Sequence, residues 1–131
     1  MKSLENIMLS NEILDSEVLY RAVKKSNPDS FINNKPTPAL FLDENGVSVV
    51  RDAKRSESSI IKEIKEEYIR DDYERSVKIS ARICREVGTC PKAIHNIKKK
   101  THAEIHESEN IVEISLPKAV LLSRLCTKVE Q

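Results

Sequence analysis

The sequence has very little glycine and few aromatic residues: 2 glycines, no tryptophan, and an aromatic content of 4%. With Gly46 and Gly88 alone, the chain has no glycine-rich loop for phosphate, which excludes the familiar nucleotide-binding motifs. The scarcity of aromatic side chains argues against a base-stacking surface and against an aromatic-lined ligand pocket. The core must therefore be built from isoleucine, leucine and valine.

Long apolar runs and a dominant charge are also missing. No stretch approaches the roughly 18 to 20 apolar residues of a membrane span, and residues 1–12 lack the apolar region of a signal peptide. We therefore expect a cytoplasmic protein. The chain carries 22 basic and 21 acidic residues, so its net charge of +1 gives no general reason to bind nucleic acid or an acidic membrane.

Cysteine is present but forms no motif. Cys84, Cys90 and Cys126 are odd in number and match no zinc or redox spacing, so we expect free thiols in a reducing compartment. His102 and His106 are four residues apart, which on a strand separates them by about 13 Å, too far to share one ion. The sequence predicts neither a metal site nor a cofactor.

The 131 residues, 39% of them hydrophobic, suffice for one core. We expect a poorly ordered or short-helical segment over residues 1–17 and a single α+β domain over residues 18–131. Residues 18–23 are rich in β-formers and predict the first strand. Residues 24–38 are polar, contain three prolines, and predict a long surface loop.

Two hairpins are predicted. Residues 36–52 place Asn45-Gly46, a favoured turn pair, between two apolar segments. Four side chains then fall on one face of that hairpin, namely Leu40, Leu42, Val47 and Val49. Residues 102–106 alternate polar and apolar side chains and predict the second hairpin together with residues 110–115.

Thr101 with Glu104 also fits a capping box, which leaves open a short helix over residues 102–108.

Helical patterns lie between and after these hairpins. Ser56 or Ser58 caps an amphipathic helix that extends to about residue 71, and the last helix begins at Ser115 with Pro117 in its first turn. The intervening segments predict a short strand that passes into a helix closed by Gly88, and then a short basic helix or loop over residues 90–101. Together these elements predict an α+β fold with a mostly antiparallel sheet, built on two hairpins and packed by two or three helices.

Polar side chains on the predicted strands are the candidates for binding a partner. Tyr20 and Arg21 lie on the first strand, Ser48 on the first hairpin and His102 on the second. If the first strand pairs with the first hairpin, these side chains converge at one edge of the sheet. Two more candidates lie on the same hairpins, Arg51 and Glu104. No His and Asp spacing supports a triad, so we assign no catalytic residue.

Lys98, Lys99 and Lys100, with Lys92 nearby, form the strongest positive cluster in the sequence. A solvated basic turn is the ordinary explanation of such a cluster. The alternative is a weak, salt-sensitive and non-specific contact with nucleic-acid phosphates.

Three short segments in fixed order carry a resemblance to a known family: Leu19-Tyr20-Arg21, Gly46-Val47-Ser48-Val49 and His102-Ala103-Glu104-Ile105. They resemble a family of small uncharacterised bacterial proteins with a Leu-Tyr-Arg, Gly-Leu-Ser-Val and His-Ala pattern. Here Val47 replaces the usual Leu, and the Pro-Glu-Asn lead before His-Ala is absent. The resemblance implies a compact bacterial domain, often encoded within multi-gene mobile-element or defence modules, and implies no chemistry.

A second resemblance is to ADP-ribosyltransferase-like folds, which place an Arg on the first strand and a Ser on a later one. Arg21 and Ser48 match those positions, but the acidic Glu-x-Glu loop of that family has no clear counterpart. We therefore expect a small non-enzymatic protein-binding subunit or adaptor whose partner is another protein of the same operon or complex. The alternatives are an NAD-consuming enzyme of that kind and a weak nucleic-acid-binding accessory protein.

Overall fold

A computed structural model describes residues 10–94 and 99–130 of the chain. Its strands are β1 (Val18–Lys24), β2 (Phe31–Ile32), β3 (Lys35–Pro36), β4 (Val47–Arg51), β5 (Tyr73–Ser80), β6 (Cys90–Ala93), β7 (His102–His106) and β8 (Thr127–Lys128). Its α-helices are α1 (Glu57–Glu63), α2 (Ala81–Val87) and α3 (Leu116–Leu125). Short 3₁₀-helices occupy Pro28–Ser30, Pro38–Phe41 and Arg70–Asp72, and a π-helical turn, Ile64–Tyr68, continues α1.

Six strands form one sheet in the order β6-β7-β4-β1-β5-β8, and every neighbouring pair is antiparallel. The α+β class with a mostly antiparallel sheet is confirmed. Strand β1 lies near the centre and pairs along its whole length with β5. Its pairing with β4 is much shorter and covers only Leu19 with Arg51 and Tyr20 with Val50.

The sheet has a core on each face, because side chains alternate along a strand. On one face, Leu19 and Val47 belong to a large cluster that α2, α3 and Phe41 cover. On the other face, Tyr20 and Val50 belong to a smaller cluster that α1 and the π-helical turn cover, through the side chains Ile60, Ile61 and Ile64. The domain therefore has three layers, with the sheet in the middle.

The predicted start of α1 and the predicted end of α2 are confirmed, because their capping groups are local, whereas α1 ends at Glu63 and not near residue 71. Ser56 accepts a hydrogen bond from the Ser59 amide at the start of α1, and Ser80 accepts one from Ile83 at the start of α2. Gly88 ends α2 with φ +100°, a left-handed conformation that favours glycine. The last helix has Pro117 in its first turn, as predicted.

The first predicted hairpin is wrong. The Asp43–Gly46 turn forms, with the Gly46 amide donating to the Asp43 carbonyl and φ +102° at Gly46. The chain before it, however, is a 3₁₀-helix, Pro38–Phe41, and β4 pairs with β1 and β7 instead. Pro38 has no amide to donate to a ladder, which disfavours a strand over residues 38–41. Leu40 is buried as expected, whereas Leu42 is exposed.

The second predicted hairpin is also wrong. β7 is a strand, which settles the alternative of a helix over residues 102–108, but its partners are β4 and β6. Residues 110–115 form no strand. The segment over residues 90–101, predicted as a short basic helix or loop, begins instead as the edge strand β6, where Pro91 is tolerated because an edge strand need not donate on its outer side.

The predicted surface loop over residues 24–38 contains more structure than expected. β2 and β3 pair around Asn33 and Asn34, both of which have positive φ angles, near 54° and 62°. Asparagine tolerates this conformation well, so this two-residue turn suits a small hairpin.

Residues 10–17 contain no helix or strand but are packed against the domain. Ile13 is buried in the larger core. Residues 1–9 of the segment predicted to be poorly ordered or short-helical lie outside the described residues. None of the helices in residues 10–94 and 99–130 has the length and apolar composition needed to cross a bilayer.

Candidate functional site

The sheet opens where β1 and β4 separate. Their pairing ends at Tyr20 and Val50, while β4 continues to pair with β7 as far as Val47. A pocket of about 170 Å³ lies at this gap. Its walls include four of the six residues predicted to bind a partner, namely Tyr20, Arg21, Ser48 and His102. The structure therefore brings together side chains that are far apart in the sequence.

Arg21 lies in the gap itself. Its Nε donates to the Leu40 carbonyl at 3.1 Å, and its Nη1 donates to the Ser48 carbonyl at 3.0 Å. The Ser48 carbonyl thus accepts from a side chain at a place where β1 and β4 no longer pair. Burial lowers the pKa of Arg21, and the negative charge of Asp43 opposes that change. Arginine stays protonated in proteins, so a partly buried positive charge lines the pocket.

Most of the charge around the pocket is positive. Lys24 and Lys99 line it together with Arg21, while Asp43 is the one carboxylate among the lining residues that the structure describes. Lys99 lies over the ring of Tyr68, with Nζ 4.9 Å from the ring centroid. Such an excess of one sign in a concave site attracts groups of the opposite charge. The pocket is therefore suited to an anionic group.

Two tyrosines line the pocket beside the aliphatic side chains of its wall, which are Ala22, Val49, Val50, Ile64 and Ile69. The Tyr20 hydroxyl donates to Glu57 at 3.0 Å. The Tyr68 ring stacks on His102 with centroids 6.2 Å apart, and its hydroxyl lies 3.2 Å from the Thr101 hydroxyl. Burial raises the pKa of both tyrosines, for Tyr20 with help from the Glu57 hydrogen bond, so both stay neutral at physiological pH.

His102 is a neutral imidazole near pH 7, because burial lowers its pKa more than the nearby Glu104 raises it. Its Nδ1 is buried and has no hydrogen-bond partner within the described parts of the chain. Its Nε2 lies 3.8 Å from the Glu104 carboxylate, which is longer than a hydrogen bond. His102 therefore retains hydrogen-bonding capacity at the pocket wall.

Glu104 lies beside the pocket and is not one of its lining residues. It alternates along β7 with the buried Ala103 and Ile105, so it points to the same face as His102 and His106. His106 Nε2 lies 2.7 Å from the Glu104 carboxylate. Glu104 thus belongs to a polar row on β7 that continues from the pocket.

Arg51 is not at the pocket. Its side chain is fully buried and forms a two-pronged ion pair with Glu17, at 2.9 Å from Nε and 2.7 Å from Nη2. Its Nη1 donates to the Ser10 carbonyl at 2.6 Å. A side chain in this position holds the N-terminal segment against the sheet and does not reach a partner. The assignment of Arg51 to partner binding is therefore wrong.

The predicted lysine cluster is divided. Lys99 lies at the pocket, and Lys100 is exposed. Lys92 lies on the edge strand and donates to the Glu109 carbonyl at 3.1 Å. Lys98 falls outside the described residues. The nucleic-acid surface stays a prediction.

Lys24, Asp43 and Tyr68 line the pocket and were not predicted as site residues. The alternation of β1 could have identified Lys24, which lies two positions beyond Ala22 and four beyond Tyr20 on the same face. Tyr68 reads in the sequence as part of the apolar stripe of α1. No local pattern indicates Asp43.

Within residues 10–94 and 99–130, no group of three or more His, Cys, Asp or Glu side chains is arranged to hold a metal ion. The fold and site define a small α+β domain with a cationic pocket at an opening of its sheet. Comparisons of the chain with models of protein families, with curated proteins and with solved structures find no match.

Proposed function

We propose that this protein is a small non-enzymatic binding subunit, or adaptor, that recognises a partner protein through the pocket between β1 and β4. The observation that carries the proposal is the convergence of Tyr20, Arg21, Ser48 and His102 on this one pocket. They come from three strands that are distant in the sequence. Binding sites often combine an apolar wall with a few convergent polar groups, and this pocket has both.

The size of the pocket favours a single side chain as its occupant. Pockets for whole small-molecule ligands usually measure about 300 to 1,000 Å³. At about 170 Å³ the pocket is smaller than that range. A side chain anchored there, with the rest of the partner on the surrounding surface, matches the way in which a few buried anchors dominate protein interfaces.

We further propose that the protein acts in the bacterial cytoplasm with a partner from its own operon. The three cysteines are free thiols, as is usual in a reducing compartment, and this supports the bacterial cytoplasm. The resemblance in residues 18–106 supports a partner encoded in the same operon, within a multi-gene mobile-element or defence module.

Affinity purification of the tagged protein from its native host tests the proposal. We expect one protein to be recovered in stoichiometric amount with the wild type and much less of it with Arg21→Gln. Arg124→Gln is the matched control, because it removes the same charge from an exposed position on α3. Recovery of no protein above background would refute the adaptor function, and equal recovery with Arg21→Gln would place the interface elsewhere.

One contact favours a second function, an ADP-ribosyltransferase-like enzyme that consumes NAD. Arg21 and Ser48, the two residues that match that fold, lie side by side, joined by the hydrogen bond from Nη1 to the Ser48 carbonyl. Incubation with NAD and measurement of released nicotinamide separates the two functions. Turnover that Arg21→Gln abolishes and Arg124→Gln preserves would replace the adaptor function with the enzymatic one.

A further inference from the structure

The guanidinium of Arg21 has hydrogen-bonding capacity that the protein does not use. Of its five N–H groups, one on Nε and one on Nη1 donate to carbonyl oxygens. Across residues 10–94 and 99–130, Nη2 donates no hydrogen bond and no carboxylate lies within 4.0 Å of the guanidinium. A partly buried charge of this kind is stabilised by an ion of opposite sign. Arg51, by contrast, already has its carboxylate in Glu17.

Arg21 is bordered by two cavities. The second cavity has a volume of about 300 Å³ and shares Arg21, Lys24 and Asp43 with the first. Its remaining wall includes the polar residues Ser26 and Asn27 and the carboxylate of Asp29, so the excess of positive charge belongs to the first cavity and not to the second. The first cavity can hold the anchoring side chain of the partner. The second cavity can hold a neighbouring residue of the same partner segment.

The positive charges at the first cavity favour an anchoring group that is negatively charged. Lys24 and Lys99 add two positive charges at the first cavity, where the described part of the chain contributes one lining carboxylate, that of Asp43. A guanidinium presents its N–H groups in a planar fork that matches the oxygens of a carboxylate or a phosphoryl group. An amide or hydroxyl anchor would bring no negative charge to a pocket where Arg21 and two lysines face Asp43.

We propose that the pocket holds one oxyanion, a carboxylate or a phosphoryl group, carried on a side chain of the partner protein and bound through Nη2 of Arg21. This inference rests on the proposed function for the source of the anion. The Lys24 and Lys99 side chains strengthen the attraction at longer range, and Asp43 weakens it. Binding therefore decreases as the salt concentration rises, because salt screens these exposed charges.

Titration of the ¹⁵N-labelled protein with three capped pentapeptides tests the inference. The peptides have alanine at four positions and Glu, phosphoserine or Gln at the centre. We expect saturable shifts at the amides of Arg21 and Ser48 with both anionic peptides, and binding of the Gln peptide that is weaker by about tenfold or more. Tighter binding of the phosphoserine peptide identifies a phosphoryl anchor, and equal binding identifies a carboxylate.

Four variants separate recognition from folding. Arg21→Lys keeps the charge and loses the fork, so it should weaken binding of the anionic peptides. Lys24→Gln with Lys99→Gln should weaken it without affecting the Arg21 hydrogen bonds. Asp43→Asn should strengthen it, because it removes a negative charge and keeps the Oδ1 that accepts from the Asn45 amide. Arg124→Gln is the control and should bind as the wild type does.

The inference is overturned if the Glu and Gln peptides bind equally, or if neither anionic peptide gives a saturable shift. Tighter binding of inorganic phosphate than of either peptide would also overturn it, because the anion would then be a free ion and not part of a partner. The proposed function fails separately. If the peptides bind through Arg21 and no partner is recovered, the adaptor function is wrong and the anion site stands. If a partner is recovered and no peptide binds, the anion site is wrong and the adaptor function stands.

Discussion

The buried ion pair between Arg51 and Glu17 should be the most sensitive polar contact in the domain. Arg51 is completely buried, whereas the Glu17 side chain is 15% exposed. Glu17→Ala removes both hydrogen bonds to the guanidinium and leaves its charge with carbonyl acceptors alone. Removal of one partner of a buried pair costs about 3 to 5 kcal/mol. Because Glu17 is partly exposed and the Ser10 carbonyl still accepts from Arg51, we expect about 3 kcal/mol.

The reverse change should cost less. Arg51→Met removes the buried charge, fills much of the same volume, and leaves a carboxylate that water can reach. We expect a loss of about 1 to 2 kcal/mol, the range for lost hydrogen bonds. Urea unfolding measures both free energies from the midpoint and the slope. For a domain of this size, 3 kcal/mol corresponds to a fall in Tm of roughly 10 °C.

The Arg82–Glu86 pair on α2 is the control, because its side chains are 71% and 61% exposed. Glu86→Ala should change the unfolding free energy by less than about 0.5 kcal/mol. The test is whether Glu17→Ala lowers the unfolding free energy more than Arg51→Met does. If Arg51→Met proves more damaging than Glu17→Ala, an uncompensated buried charge is not the cause and the explanation is wrong.

Three further predictions concern other parts of the domain. Gly46→Ala should lower the unfolding free energy by about 1 to 3 kcal/mol, because φ is +102° and a Cβ would lie 2.5 Å from Glu104. Stability in urea should fall as the pH drops below the ordinary histidine pKa of 6.5, since burial lowers the pKa of His102. It should fall again below 4.5, since hydrogen bonds from Lys118 and the Ser115 amide lower the pKa of Glu107. Finally, Cys84 should resist alkylation at pH 8 until the protein unfolds, because burial raises its pKa to about 12.

Each of these predictions has its own control. Glu104→Ala combined with Gly46→Ala should recover part of the stability that Gly46→Ala alone loses. The sign of the pH effect follows from proton binding: the unfolded chain binds the proton more tightly at both groups, so acid favours unfolding. His102→Gln should abolish the upper pH step and Glu107→Gln should reduce the lower one, and unchanged profiles would contradict the assignments. Rapid mass-spectrometric labelling of native Cys84 would show that this thiol is not buried.

Local signals in the sequence predicted the start of α1 and the end of α2. Ser56, Ser80 and Gly88 form their caps with residues no more than five positions away, so the sequence shows all the groups involved. The first strand was also predicted, from its β-formers, and extends over Val18–Lys24.

Strand pairing was not predictable in the same way. The apolar residues 40–42 and the Asn45-Gly46 turn favour a local hairpin, yet β4 pairs with strands that lie far from it in the sequence. The stability of those pairings comes from the two cores on either side of the sheet, which no short window of sequence displays. The prediction that Val47 and Val49 of β4 face the core is nevertheless confirmed. Side chains alternate along a strand, so these two share a face whichever strand is the partner.

The pocket depends on two interruptions of regular structure. The π-helical turn widens the end of α1, with the Ile69 amide donating to the Ile64 carbonyl at 2.9 Å, and Tyr68 packs at the edge of the smaller core while its ring stacks on His102. Where β1 leaves β4, the Arg21 guanidinium supplies the Ser48 carbonyl with a hydrogen-bond donor in place of a strand amide. Both features arise from tertiary packing. The sequence could therefore predict several of the pocket residues but not the pocket that they form.

Arg21 consequently has two roles that the sequence could not separate. The sequence alone suggests an exposed residue whose replacement leaves the Tm within a few degrees. In the structure, one edge of the guanidinium completes the hydrogen bonding of the opened sheet, and Nη2 remains available at the pocket. Arg21→Ala should therefore lower stability as well as binding, since it leaves the Leu40 and Ser48 carbonyls without this donor. A variant that keeps a donor and charge, such as Arg21→Lys, is needed to tell the two roles apart.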